Sequence, residues 1–321
     1  MSSKERLKKR EKQGASPREA GRRSSMKLIW YWYQDEKDLG VLSKGEEEIL
    51  PLKKLLPNRQ FKDLLDFIER HEKEDLDFLR QAVEEDGTGG VPLTAVKILS
   101  PVEHPRHDII CVGVNYEAHL KESTLGLKDP KLDGPKEPVY FSKRAVRILG
   151  TEEPIEGFLT LDEALDYEVE LAVLIGKEGR DIPKEKVKEY IFGYTVFNDV
   201  SSRTLQKAHI QWYKGKSLDT HSIMGPFVLL AEDTKYPPEF TVETRVNGEL
   251  RQRSSTRLFI HDLDQLISDF SKGITLVPGD IIATGTPSGV GMGFTPPKFL
   301  KRGDLVECSV SGIGTLKNRV I

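Results

Sequence analysis

Cysteine is close to absent: Cys111 and Cys308 are the only two thiols in 321 residues. Their positions make no metal-ligand spacing and no disulfide framework, so a reduced, cytoplasmic setting is the simplest reading. Long apolar runs are missing too, and none approaches the roughly 20 residues that a membrane-crossing helix needs. Neither sign of charge is in excess, since 48 Lys and Arg stand against 51 Asp and Glu, a formal net charge of -3. That balance argues against nucleic acid or a membrane surface as partner of the folded body and leaves a small molecule.

The start of the chain breaks the balance. Residues 1–25, MSSKERLKKREKQGASPREAGRRSS, are basic and nearly devoid of apolar side chains, so they have nothing to bury. The lack of an apolar h-region speaks against a signal peptide, and Glu5, Glu11 and Glu19 speak against a mitochondrial presequence. A disordered tail ahead of Met26 is the expectation.

From Met26 the pattern changes. MKLIWYWYQ, GVLSK and EEILPL read as strands, and NRQFKDLLDFIERHEKEDLDFLRQAVEED carries helical periodicity. Within it Phe61, Leu64, Leu65 and Ile68 fall on one helix face. DGTGGVP then breaks the chain, so residues 26–100 are expected to form a small α+β domain with no chemistry of its own. After Pro101, short strands punctuated by NGE, PGD and RGD predict rolled or sandwiched sheets over residues 101–321. RGD at 302–304 reads as a hairpin turn. The expected class is α+β, mostly β.

The chemistry begins at LDYEVELAVLIG, residues 165–176, which reads as one strand. Glu168 and Glu170 sit two apart, so both carboxylates point the same way, and Ala172 and Leu174 turn that face inward. Two like charges there need a proton, an Arg or Lys, or a cation. Asp199 adds a third acid at the end of YIFGYTVFNDV, before SSRTLQ, which reads as a helix start with Ser as N-cap. Three hard oxygens without His or Cys favour magnesium, manganese or calcium over zinc. About three positions of an octahedral ion stay open for water and a 2-oxo acid.

Other residues fit such a site. In GVNYEAHLKES, His119 and Glu122 stand at i and i+3 and share a face if the piece is helical. A His oriented by a carboxylate is a general base for water. Lys216, among small and polar residues, suits balancing the charge of a substrate or enolate. PGDIIATGTPSGVGMG, residues 278–293, lacks the G-K-[ST] ending of a phosphate loop. Following a strand, it brings backbone N–H groups and the Thr286 hydroxyl toward a carboxylate.

Taken in order, GVNYEAHLKE, EPVYFSKR, DYEVELAVLIGK, NDVSSRTLQ, GKSLDT, VNGELRQRSST, LVPGDIIATGTPSGVG and RGDLVECSVSGIGTL resemble the fumarylacetoacetate hydrolase family over about two-thirds of the chain. The resemblance implies a mixed β-roll catalytic domain, usually a homodimer, binding Mg²⁺ or Mn²⁺ through Glu168, Glu170 and Asp199. In members similar to acylpyruvate hydrolases and oxaloacetate decarboxylases, it makes His119 and Glu122 a catalytic dyad on a mobile lid. It makes Arg203, Gln206 and Thr286 substrate contacts and Lys216 an active-site lysine. Thr204 departs from the family's usual Asp, and STLGLKDPKLDGPKE after the dyad is longer than in the shortest members.

The reading that follows is a metal-dependent hydrolase cleaving a C–C bond in acylpyruvate-like 2,4-dioxo acids. His119, oriented by Glu122, deprotonates the attacking water, and Lys216 helps stabilise the departing enolate. Its rivals are a lyase or isomerase on 2-oxo acids, an oxaloacetate decarboxylase or a 2-hydroxyhepta-2,4-diene-1,7-dioate isomerase of aromatic catabolism. A catalytically silent binding protein is the rival from another class. Because residues 1–25 lack core-forming side chains, a chain starting at Met26 is expected to match the full chain in melting temperature and turnover. Thermal unfolding and initial rates of the two chains, measured side by side, check this.

Overall fold

The computed structural model describes residues 25–85, 89–127 and 136–321. The expected tail, apart from Ser25, and residues 128–135 of the extended segment lie outside the described residues.

The β-branched and aromatic runs form strands, and most join one large sheet. In the first part of the chain β1 (Lys27–Tyr33), β2 (Glu36–Leu42) and β3 (Glu48–Pro51) are followed by helices α1 (Leu52–Leu55), α2 (Leu64–Arg70) and α3 (Lys73–Glu84). Strands β4 (Val91–Pro92), β5 (Lys97–Ile98) and β6 (Ile109–Gly113) lead to α4 (Glu117–Leu127) and β7 (Val139–Lys143). Next come β8 (Leu165–Asp166), β9 (Val169–Ile175), β10 (Ile191–Asp199) and β11 (Ser201–Ser202), then α5 (Arg203–Ala208) and α6 (Tyr213–Lys216). Strands β12 (Ser222–Leu230), β13 (Thr241–Val246) and β14 (Glu249–Ser255) precede α7 (Leu263–Phe270), β15 (Ile281–Ala283), β16 (Leu305–Val310) and β17 (Gly314–Arg319).

The large sheet runs β4-β3-β2-β1-β12-β10-β9-β15-β6-β7, with β5 paired to β1. Its one parallel pair is β15 with β6. A second sheet, β14-β13-β16-β17, is antiparallel throughout. Strands β9 and β10 are buried at every position, because both faces of the sheet are covered here. Val169, Leu171, Val173 and Ile175 face a core shared with Val242, Val306 and Val310 of the second sheet. Ala172 and Leu174 face the opposite core, with Phe67, Leu79 and Phe192. Two-sided burial explains why β9 reads as a nearly continuous apolar run. The class is α+β, mostly β, as expected.

Three expectations change. Residues 165–176 form two strands, with Tyr167 and Glu168 between β8 and β9. The long helical stretch is two helices, since two local caps restart it. Asp63 caps α2 by accepting the Asp66 N–H at 2.8 Å, which leaves Phe61 ahead of the helix. Glu72 and Asp75 form a capping box that opens α3. Finally, the boundary at residue 100 is a break neither in the sheet nor in the core. β1 pairs with β12 in the register Lys27↔Leu229 and Leu28↔Val228, and Phe67 and Ile68 pack in the same core as Leu174 and Ile281.

Among the described residues no helix is long and apolar enough to cross a membrane. The shared core predicts that residues 26–100 and 101–321 unfold together. Phe67→Ala should cost about 3–5 kcal/mol and move one urea transition followed by circular dichroism and tryptophan fluorescence. An early separate transition confined to the first segment would instead make residues 26–100 an independent domain.

Candidate active site

The site lies where the central strands end. After β6, Val114 takes a φ of 54°, a left-handed conformation that a β-branched residue adopts only under constraint. The constraint is its neighbour Asn115, whose Nδ2 donates to the carbonyls of His261 at 3.1 Å and Thr284 at 2.9 Å. Its Oδ1 accepts the His261 N–H at 2.8 Å. This turn launches α4, on which the His119 Nδ1 and a Glu122 oxygen meet at 3.0 Å. The other Glu122 oxygen accepts the Gly289 N–H at 2.9 Å. A Cβ at Gly293 would overlap the Glu122 carboxylate where it now lies, so a side chain there would displace that carboxylate.

Glu168 precedes β9, Glu170 belongs to it and Asp199 ends β10. One carboxylate oxygen from each lies within 4.8 Å of the others, and all three residues are buried. The Lys216 ammonium donates to Glu168 at 2.7 Å and to Asp199 at 2.8 Å. Arg203 pairs with Glu168 at 2.7 Å and donates to the Gln206 side-chain oxygen at 3.0 Å. His119, Glu168, Glu170, Arg203, Gln206, Lys216 and Thr286 line one cleft, whose remaining wall is apolar: Val112, Val114, Phe141, Trp212 and Met292. The structure thus brings together all nine residues singled out in the sequence, Glu122 through His119 and Asp199 through Lys216.

Electrostatics separate the two neighbouring glutamates. Burial would raise the Glu168 carboxyl, but Lys216, Arg203 and His119 outweigh it and hold it down to about 2. For Glu170, burial and the charges of Asp199 and Glu168 act together and push its carboxyl well above the usual range, against Lys216 and the Gly285 N–H. Burial lowers the Lys216 ammonium, yet Asp199 and Glu168 raise it further than burial takes it down.

Sequence reasoning missed two charged residues. Asp166, fully buried, accepts from Arg203 Nε at 2.9 Å and from the backbone of Gly291 and Met292 at 2.6 and 3.0 Å. Lys143, also fully buried, donates to Asp199 at 2.5 Å and to the Val200 carbonyl at 2.8 Å. Both stand inside stretches that carry the family resemblance, DYEVE and VYFSK, and for Asp166 the signal was a charge beside a strand face expected to turn inward.

The glycine-rich segment is corrected. Its N–H groups do meet carboxylates, but these are the protein's own: Gly285 serves Glu170 at 2.8 Å, Gly289 serves Glu122, and Gly291 and Met292 serve Asp166. The Thr286 hydroxyl donates to the Val169 carbonyl at 2.9 Å and accepts from Gln252 at 2.8 Å, which ties it into the sheet. Ser202 stands at the N-cap of α5 without a side-chain capping bond.

The donor set fits a hard divalent cation. Four buried carboxylates, Asp166, Glu168, Glu170 and Asp199, face three buried cations, Lys143, Arg203 and Lys216. Glu170 receives a backbone N–H, and no ion pair among the described residues reaches it. A divalent cation beside Glu170, Glu168 and Asp199 would supply the positive partner that Glu170 lacks through oxygen ligands alone, and would leave the cluster with a positive charge suited to an anionic ligand. Cys111 adds no soft ligand, since burial and the charges of Asp199 and Glu170 keep its thiol protonated.

Comparison with known proteins agrees with this chemistry. Residues 108–321 match the sequence model of the family described as fumarylacetoacetate (FAA) hydrolase C-terminal. An oxaloacetate tautomerase of Bacillus subtilis is 40% identical over 288 residues, 89% of this chain and 94% of the relative. The solved structure of a fumarylacetoacetate hydrolase from Exiguobacterium antarcticum is 38% identical with a TM-score of 0.76, over 92% of this chain and 99% of that one. The structure of maleylpyruvate hydrolase from Sphingobium sp. SYK-6, in complex with manganese (II) ion and pyruvate, is 29% identical with a TM-score of 0.70 over the same shares.

Glu168→Gln is expected to remove high-affinity Mn²⁺ binding measured by calorimetry. Asp166→Asn, which frees Arg203 to compete for Glu168, should weaken it by about 10–100-fold. Unchanged affinity in both variants would rule this cluster out as the metal site.

Proposed function

This chain belongs to the fumarylacetoacetate hydrolase family, and from that premise we propose that it catalyses proton transfer at the carbon beside the keto group of a small 2-oxo acid. The first reaction we assign is keto–enol tautomerisation of an oxaloacetate-like diacid. Members of the family are enzymes, among them hydrolases, isomerases and a tautomerase. The observation that carries the reading is the acid–base pair of His119 and Glu122, held at 3.0 Å with His119 lining the cleft of the acidic cluster. The similarity to the Bacillus subtilis tautomerase over 94% of that protein supports it.

When bound by Glu168, Glu170 and Asp199, Mg²⁺ or Mn²⁺ supplies Lewis acidity toward the keto oxygen of a 2-oxo acid. The chain's own residues do the rest. Glu122 engages Nδ1 of His119, so the proton leaving carbon passes to Nε2, and the carboxylate stabilises the imidazolium that forms. Arg203 and Gln206 stand together on α5, suited to orient the substrate carboxylate. Lys216 offers positive charge where the enolate oxygen develops. Return of the proton from His119 to that oxygen completes the enol, with no other bond broken.

A second reading is C–C hydrolysis of acylpyruvate-like 2,4-dioxo acids, favoured by the apolar wall of Val112, Val114, Phe141, Trp212 and Met292, which suits an acyl group. There the same dyad would activate water. The two reactions separate cleanly in one assay with Mn²⁺-loaded protein. Tautomerisation consumes the enol absorbance of oxaloacetate without releasing pyruvate, whereas hydrolysis releases pyruvate from acetylpyruvate.

His119→Ala and Glu122→Gln should each lower kcat by about 10²–10⁴-fold. The double variant should lose far less than the product of the two, because the pair acts as a unit. Full enolisation by both single variants would take the base assignment away from this pair.

A further inference from the structure

Behind the His119–Glu122 pair stands an arginine that neither the metal cluster nor the substrate contacts account for. Arg251, on β14, has a side chain only 12% exposed. One guanidinium nitrogen pairs with the half-exposed Glu249 at 3.0 Å. The Nε and Nη1 groups are buried beside the Tyr167 hydroxyl, on which the guanidinium acts. Burying a guanidinium costs stability unless its charge and N–H groups are met, so such a group calls for an explanation.

Its surroundings supply one. The guanidinium stacks on the Phe294 ring, 5.5 Å from the centroid. Lys298 sits over the same ring at 4.7 Å and closes back to Glu249 at 2.6 Å. The Arg251 carbonyl abuts Gly289, whose φ of +101° and lack of Cβ allow the approach. That residue's N–H holds Glu122, and its carbonyl accepts the Tyr167 hydroxyl at 3.0 Å. The charges of Arg251 and Glu122 both reach that hydroxyl, with opposite effects on its titration. The Arg251 carbonyl thus meets residues 289–294 at Gly289 and its guanidinium meets them at Phe294, the stretch whose first N–H holds the carboxylate that orients His119.

We propose that Arg251 is a positioning residue that holds the His119–Glu122 pair in its working geometry through the 289–294 loop, an inference that rests on the proton-transfer reading above. It touches no reacting atom. Its effect passes from the loop to the Gly289 N–H, from there to Glu122, and from Glu122 to the ring nitrogen of His119.

The test uses the full chain loaded with Mg²⁺, with ¹⁵N-labelled histidine, as wild type, Arg251→Met and Arg251→Lys. Arg251→Met should lower kcat for enolisation by about 10–100-fold, as loss of a supporting partner does. KM and Mn²⁺ affinity should stay within about twofold, since the substrate and metal contacts are untouched. The His119 nitrogen resonances should shift, and Arg251→Lys should recover much of both signals by keeping the charge. In a Glu122→Gln background, Arg251→Met should add nothing further to the loss of kcat. A folded Arg251→Met with unchanged kcat and unchanged His119 resonances overturns the proposal, as do effects that multiply with Glu122→Gln. If Arg251→Met does not fold, Phe294→Leu, which removes the ring under the guanidinium, takes its place, and unchanged His119 resonances there overturn the proposal equally. Absence of turnover on every enolisable 2-oxo acid by wild type would sink the reaction instead, with the resonances still judging Arg251.

Discussion

Like charges a few ångströms apart in a poorly hydrated interior repel strongly, and Asp166, Glu168, Glu170 and Asp199 are held together with at most 5% exposure each. Much of the surrounding structure answers this constraint. Lys143, Lys216 and Arg203 are brought in from β7, α6 and α5, three separate elements that the fold converges on the ends of β9 and β10. Backbone N–H groups from the glycine-rich segment complete the compensation. They can approach because residues such as Gly289 take a conformation closed to other side chains and carry no Cβ. The glycine-rich segment is therefore a set of donors aimed at Glu122, Asp166 and Glu170, the last of which has no ion-pair partner among the described residues.

Rigidity of the scaffold makes this arrangement possible. β9 and β10 are covered on both faces, so the acids at their ends project from strands with no freedom to relax apart. The first hundred residues contribute to that cover: β1 extends the sheet beyond β12, and Phe67 packs beneath the central strands. A segment without chemistry of its own thus bears on the chemistry through packing. The acid–base pair differs, since His119 and Glu122 stand on a helix joined to the sheet through the strained turn at Val114 and clasped by one backbone N–H. Clustered acids on strands and a His–Glu pair on a tethered helix divide the candidate site into a fixed half and a supported half.

Much of the site was legible in the chain because its signals are local. The period-two placement of Glu168 and Glu170 within an apolar run, the Asp199 at a strand end, and the three-residue spacing of His119 and Glu122 each follow from strand or helix geometry. The order of the family motifs added Arg203 and Gln206 to Lys216 and Thr286, which the local chemistry had already suggested. Strand-rich composition after Pro101 likewise conveyed the fold class. Where the reading erred locally, a cap won over periodicity: Asp63 and the Glu72–Asp75 box divide one helical pattern into two helices.

The chain by itself determined which residue types could bind a hard cation and move a proton, since carboxylate spacing and imidazole chemistry belong to the covalent sequence. Only the tertiary structure decided how they are balanced. That Lys143 and Asp166 are buried in the cluster, that the glycine N–H groups grip the protein's own acids, and that Arg251 meets Gly289 and Phe294 all depend on contacts between residues far apart in sequence. So does the merging of residues 26–100 into the same sheet, because the partner of β1 lies about two hundred residues away at β12. No local period carries that information, and it exists only once burial of both faces of the sheet has chosen the neighbours.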